Sequence, residues 1–279
     1  MNLKKQEPKA KTSKKALLIG INYLAEPAAR LNGCHNDVNN LSSFLIDNKY
    51  FDKSDITVML DSKRVTDKKY PTKANILKQL NDLVKYALSK PGESIELYLS
   101  FSGHGDKRVD LSGDEEDGYD EVLVPADYNQ NGVITDDDIR NILINKLPSN
   151  AKLWVIIDAC HSGSALDLRY QYLLDSKNRY IVNQDYKKSL SEVVMISGCK
   201  DDQTSADAYM SNDKKEAKYQ YQGACSKAFM KFYKKGITYH DLVTSMRSWL
   251  RANKYTQIPQ LTTSRKINTK QVCLLSSYN

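Results

Sequence analysis

An α/β protein with a mainly parallel central β-sheet covered by helices on both faces is the fold class the sequence predicts. Two observations carry that expectation. The strand-like runs are apolar without alternation: "KALLIGINY" (15–23), "SIELYLSF" (94–101), "KLWVII" (152–157) and "EVVMISG" (192–198). Strands read this way when both of their faces are buried. The segments between them carry helical periodicity instead. In 73–88, Ile76, Leu77, Leu80, Leu83, Val84, Ala87 and Leu88 recur at about 3.6 residues. The 279 residues, 41% hydrophobic and 27% charged, suffice for one large domain. That domain is expected over 14–279, behind a disordered basic tail at 1–13.

The elements follow in order. After the first strand and a "NGCHND" turn, Val38, Leu41, Phe44 and Leu45 place a helix over 37–48. "DITVMLD" (55–61) is a strand, and Thr72 is set to cap the helix over 73–88. "EVLVPAD" and a helix from 136 separate the third and fourth long apolar runs. Two helices are expected near 223–235 and 239–253, the second with Thr238 as cap and Asp241 three residues on. The segments 168–190 and 209–222 lack periodicity and read as exposed loops.

Composition removes several function classes. The net charge is +7, but "MNLKKQEPKAKTSKK" holds six Lys against one Glu, so the surplus belongs to the tail and no nucleic-acid partner is expected. No apolar run approaches the roughly 18–20 residues of a membrane span, so no membrane partner is expected either. The tail and "ALLIGINYLA" loosely imitate a signal peptide, but Asn22 interrupts the apolar part. The five Cys are odd in number, dispersed and without a CxxC pair. That speaks against zinc or a disulfide framework and for a reducing, cytoplasmic location.

The chemistry concentrates at two strand ends. "LYLSFSGHGD" (97–106) and "LWVIIDACHSG" (153–163) each run from an apolar strand into a Gly turn bearing reactive side chains. In a mainly parallel sheet the ligand site lies at the carboxyl ends of the strands. A thiol becomes a useful nucleophile when a neighbouring base favours its thiolate. Cys160 and His104 on adjacent strand ends meet that need, with turn amides able to form an oxyanion hole. His161 adjoins Cys160 but points the other way along an extended chain, so His104 is the expected base. Cys199 and Cys273 read as buried hydrophobes, and His35 and His240 as surface or helix-end residues.

"YLSFSGHGD", "VIIDACHSG", "RLNGCHNDV" and "CKDDQTSADA" together resemble the metacaspases, caspase-like cysteine peptidases. The similarity covers most of 14–277. It implies a caspase-like sandwich and a catalytic dyad of His104 and Cys160. It also implies cleavage after Arg or Lys, with Cys34, Asp37, Ser102 and Asp158 at the specificity pocket. A guanidinium is best met by carboxylates, and Asp37 and Asp158 both fall at carboxyl-end loops. Asp37 is also placed to cap the following helix. Position 159 is Ala where many members carry Ser.

Two further stretches, "DLSGDEEDGYDE" (110–121) and "DYNQNGVITDDD" (127–138), are dense in the hard oxygen donors that calcium prefers. The second approaches an EF-hand loop but ends in Asp138 instead of Glu, and its leading flank reads as a strand. A plain helix start with Thr135 as cap accounts for the same residues. The resemblance implies calcium binding through Asp120, Asp136, Asp137 and Asp167. Basic residues in 168–190 (Arg169, Lys177, Arg179, Lys187 and Lys188) are candidate self-cleavage sites. The expected function is a calcium-dependent cysteine endopeptidase acting on proteins or peptides with Arg or Lys before the scissile bond, as a monomer by analogy. The alternative is a calcium-responsive scaffold of the same fold without turnover. Asp specificity would require basic pocket residues, which the motifs do not supply.

Overall fold

The computed structural model describes residues 11–109, 119–159, 165–184, 189–198, 207–211, 219–273 and 275. In chain order its strands are β1 (Thr12–Gly20), β2 (Ile56–Leu60), β3 (Ser94–Ser102), β4 (Gly105–Val109), β5 (Tyr119–Leu123), β6 (Ile134–Thr135) and β7 (Ala151–Asp158). They continue as β8 (Tyr170–Tyr172), β9 (Tyr180–Val182), β10 (Glu192–Ser197), β11 (Asp207–Ser211), β12 (Tyr219–Gly223) and β13 (Gln260–Thr263). The helices are α1 (Cys34–Asp47), α2 (Lys73–Leu88), α3 (Tyr128–Asn131), α4 (Asp136–Ile142), α5 (Ala224–Phe232) and α6 (Tyr239–Ala252).

Eight strands form the central sheet in the order β2-β1-β3-β7-β10-β13-β8-β9. The first five run parallel, and β13, β8 and β9 join antiparallel. The chain goes from β1 to β2 on one side and to β3 on the other, so the order reverses at β1. The crevice between the carboxyl ends of β1 and β3 is therefore a topological switch point, the place where such sheets bind ligands.

Alternation along the buried strands sorts side chains to two cores. Leu17, Ile19, Leu97, Leu99, Phe101, Leu153, Val155 and Ile157 pack against Ile76, Leu80 and Leu83 of α2 and Ile139 of α4. Leu18, Tyr98, Trp154, Ile156 and Ile196 pack on the other face, against Leu41 of α1, Phe229 of α5 and Met246 of α6. The result is the expected mainly parallel sheet between two helical layers. Helix starts obey local chemistry: Thr72, Thr135 and Thr238 each accept a hydrogen bond from the backbone N–H three residues on.

Three local expectations change. β1 already begins at Thr12, so the expected tail at 1–13 overlaps the first strand, and Lys14 is buried within it. A buried ammonium needs partners, and Lys14 Nζ donates to the Tyr50 carbonyl at 2.9 Å and pairs with Glu96 at 3.0 Å. The supposed loop at 168–190 contains β8 and β9, which extend the central sheet. The supposed loop at 209–222 overlaps β11 and β12, a separate antiparallel ribbon. Both pairs are short and polar, so they carry no apolar run to betray them.

Candidate active site

The buried acidic cluster follows from strand alternation. Phe101 and Ile157 face α2, so their successors Ser102 and Asp158 face α1 and α5, and these two are direct register partners. Asp37 enters from the first turn of α1. Its Oδ2 accepts a hydrogen bond from Ser102 Oγ at 2.5 Å, and its Oδ1 accepts one from the Gly223 N–H at 2.8 Å. Asp158 Oδ2 accepts from the Ser226 N–H at 2.8 Å, at the start of α5. Both carboxylates are almost fully buried, at 2% and 4% exposure. Asp37 does not cap α1, whose N-cap position is Gly33. Cys34 is buried at the first residue of the same helix, its N–H bonded to Asn22 Oδ1 at 3.0 Å.

Gly223 packs its backbone against both carboxylates, which only a residue without a side chain can do. A Cβ there would sit 2.2 Å from Asp158 Oδ2 and 2.7 Å from Asp37 Oδ2. Two carboxylates thus reach one point on the backbone. Gly223→Ala is therefore expected to push the β12–α5 junction off both carboxylates. It should destabilise the fold by about 1–3 kcal/mol, the usual range for an overpacked buried position. A thermal melt checks this, and an unchanged midpoint would show that the junction gives way freely.

His104 lies just past β3. Its backbone N–H donates to Tyr23 Oη at 2.7 Å and its carbonyl accepts from the Val124 N–H at 3.1 Å. Its Nε2 is 2.7 Å from the Ala29 carbonyl oxygen. A carbonyl only accepts, so Nε2 carries a hydrogen and Nδ1 is the nitrogen available for proton exchange in the neutral ring. The Tyr23 ring covers the imidazole with centroids 4.6 Å apart. The Gly103 N–H reaches the Asp158 carbonyl at 3.4 Å, tying the turn before His104 to the end of β7. Ser102 and His104 do not follow one alternation, because β3 ends at Ser102. Cys160, two positions after Asp158 in the sequence, lies outside the described residues, as do His161, Lys187, Lys188 and Cys199.

Among the acidic candidates, Asp120, Asp136 and Asp167 are buried and Asp137 is half-buried. Asp136 accepts from the N–H groups of Glu121 at 2.7 Å and Asp137 at 2.8 Å. Asp120 faces Arg108 at 3.9 Å, and the Asp167 carbonyl accepts from the Arg140 guanidinium. Three desolvated carboxylates around α4 and β5 are the kind of hard oxygen donors calcium takes, and fit it chemically. Among the described residues, however, no three His, Cys, Asp or Glu side chains converge as a metal shell. The near-EF-hand at 127–138 is used otherwise. Asp127 accepts from the Lys73 N–H at 2.8 Å and from Asn131 Nδ2 at 2.7 Å, and Thr135 with Asp138 forms a capping box.

Sequence reasoning missed several contributors. His35 stands at the start of α1, a helix-end residue as expected, but it is half-buried with Nε2 against Asp61 Oδ1. Tyr23, Asp61 and Gly223 carried no local signal of their roles. Cys273 is a buried hydrophobe as expected, and Cys34 and Cys225 are buried as well. No helix among the described residues is long and apolar enough to cross a membrane.

An eight-stranded, mainly parallel sheet of this order, with buried Asp37 and Asp158 and the His104 imidazole at its carboxyl edge, is a caspase-like α/β fold with a strand-end site. Residues 14–169 match the family model described as metacaspase, peptidase C14 domain. The chain is 38% identical to Metacaspase-1B of Neurospora crassa over 91% of its own length and 67% of that protein. It is 38% identical to Metacaspase-1 of Scheffersomyces stipitis over 90% of its length and 70% of that protein. A crystal structure of a Geobacter sulfurreducens protein superposes with a TM-score of 0.64, covering 95% of this chain and 99% of the other at 20% identity. The chain belongs to the metacaspases. It is a cysteine endopeptidase, and its substrates are proteins.

Proposed function

We propose that this metacaspase cleaves peptide bonds after Arg or Lys, with Cys160 as nucleophile, His104 as proton carrier and calcium as activator. The observation that carries the specificity is the convergence of buried Asp37 and Asp158 on Gly223, beside Ser102. A hollow lined by two carboxylates attracts a guanidinium or ammonium and repels an acidic side chain.

The Cys160 thiolate attacks the scissile carbonyl carbon. The resulting tetrahedral intermediate collapses as His104 gives the Nδ1 proton to the departing amine. Water then attacks the acyl-thioester, giving its proton to Nδ1, and the thiolate leaves. The Ala29 carbonyl holds Nε2–H throughout, fixing the ring in the tautomer this sequence needs.

Asp120, Asp136, Asp137 and Asp167 are the residues that would hold calcium. Bound there, the ion would neutralise carboxylates whose burial is otherwise costly. Chelation is expected to lower cleavage at least tenfold, with calcium but not magnesium restoring it, and Asp136→Asn is expected to weaken that response. Equal rates in chelator and calcium would remove the ion from the mechanism. Self-cleavage within 168–190 is part of the same reading. Lys177 and Arg179 are exposed at the β8–β9 turn, and Lys187 and Lys188 are further candidates.

The test offers fluorogenic peptides ending in Arg, Lys or Asp to the wild type and to Cys160→Ala, with calcium or chelator, and maps any self-cleavage by intact mass. Arg and Lys turnover that vanishes in Cys160→Ala is expected. Asp turnover would overturn the pocket reading, and no turnover of any peptide would favour a scaffold.

A further inference from the structure

We propose that Tyr23 is the positioning residue for the His104 imidazole, and that the buried Asp61–His35 pair locks Tyr23 in place. The inference rests on His104 being the proton carrier.

The first observation is how completely Tyr23 surrounds His104. Its hydroxyl accepts from the His104 N–H at 2.7 Å and donates to the Val124 carbonyl at 2.8 Å, while the Val124 N–H returns to the His104 carbonyl at 3.1 Å. Both backbone groups of His104 are thus tied into one closed set. The aromatic ring covers the imidazole as well, with centroids 4.6 Å apart. Gly103 makes room for this, since a Cβ there would lie 2.9 Å from the Tyr23 hydroxyl. Burial pushes the Tyr23 phenol well above its ordinary range, so it stays a donor at any working pH.

The second observation is independent. Tyr23 adopts φ of +53°, the left-handed region that a bulky side chain rarely occupies. Such a conformation persists only where the surroundings over-determine it, and these positions cluster at functional sites. Asp61 supplies the constraint. One oxygen accepts from the Asn22 N–H at 2.9 Å and the other from the Leu24 N–H at 2.8 Å, gripping both neighbours of Tyr23. His35 closes on the same carboxylate. Burial alone would raise the Asp61 carboxyl, yet the bonds from His35, Leu24 and Asn22 hold it below its ordinary value. The same turn leads to Ala29: the Tyr23 carbonyl accepts from Glu26, and the Asn22 carbonyl from Leu31, at 3.0 Å each. The Tyr23 ring and hydroxyl and the Ala29 carbonyl that hold the His104 ring therefore all belong to one turn after β1.

The test compares Tyr23→Phe and Asp61→Asn with His104→Ala and with Tyr233→Phe. Tyr233 is a fair structural control. Its buried hydroxyl also bridges a backbone N–H and carbonyl, those of Leu275 at 3.0 and 3.5 Å, without touching His104. Readouts are kcat and KM on an Arg peptide, the pH profile of Cys160 alkylation by iodoacetamide, and a thermal melt. Displacing a reacting group by about 1 Å can cost roughly 100-fold. Tyr23→Phe is expected to lower kcat at least tenfold with KM within about twofold, and to shift the alkylation profile towards that of His104→Ala. Tyr233→Phe should lose comparable melting temperature and neither rate. Should Tyr23→Phe fail to fold, Asp61→Asn carries the test with the same kcat-selective loss. Rates within twofold of wild type in Tyr23→Phe, or in a folded Asp61→Asn where that arm decides, overturn the proposal if His104→Ala is inactive. Full activity and alkylation in His104→Ala would instead overturn the dyad reading on which the proposal stands.

Discussion

His104→Ala is expected to lower kcat/KM on Arg and Lys peptides by about 10³- to 10⁴-fold, and Cys160→Ala to remove turnover altogether. The size follows from what the imidazole does. It favours the thiolate before attack and supplies the leaving amine with a proton afterwards, and an amine expelled as its anion is a very poor leaving group. A loss of 10³ corresponds to about 4 kcal/mol of transition-state stabilisation. The fold should survive the change, because His104 is only half-buried and its backbone bonds to Tyr23 and Val124 do not need the ring. His240→Ala, at the first turn of α6, should retain wild-type kcat/KM and serves as the histidine control. Steady-state kinetics with a melt on each variant decides the matter. Activity within tenfold of wild type in His104→Ala would move the proton to another group.

Which parts of this site a reader of the sequence could find depends on how local their causes are. Four of the parallel strands, β1, β3, β7 and β10, were legible because burial on both faces leaves no polar alternation, as in "KLWVII". The caps at Thr72, Thr135 and Thr238 were legible because a hydroxyl meets an amide only three residues away. Ser102 and Asp158 end adjacent strands, and register makes them partners. The Asp61 grip on the Tyr23 turn was not legible. It joins residues 37 and 39 positions apart through side chain and backbone, and nothing near either end announces it. Gly223 was hidden for the same reason, because its neighbour Asp37 is 186 positions away. The strands β8 and β9, at one end of the sheet, were missed because strands of three residues are stabilised by pairing, not by an apolar run. Lys14, counted by charge with the basic N-terminal stretch, is buried in β1, where Glu96 and the Tyr50 carbonyl make its burial tolerable.

Asp158→Asn is expected to cut kcat/KM for Arg peptides by about 10²- to 10³-fold while changing the shape of the hollow little. Removing one partner of a desolvated charge pair typically costs about 2–5 kcal/mol, because the remaining charge is left without its counterpart. The neutral isostere isolates that effect, since Asn keeps an oxygen for the Ser226 N–H that Asp158 now satisfies at 2.8 Å. Asp37→Asn should behave differently. Both Asp37 oxygens already accept, from Ser102 Oγ and the Gly223 N–H, and an Asn would turn one acceptor into a donor. The amide keeps its oxygen on the Gly223 N–H and turns its N–H2 to Ser102 Oγ, whose own hydrogen then loses its acceptor, so this variant should lose melting temperature as well as kcat/KM. Citrulline in place of Arg supplies the discriminating measurement, because it matches the guanidinium in size and lacks its charge. The wild type should prefer Arg over citrulline by more than 100-fold, and Asp158→Asn should narrow that ratio towards unity. An unchanged ratio would mean that the two buried carboxylates hold the β12–α5 junction in place and that the basic side chain is read by other residues.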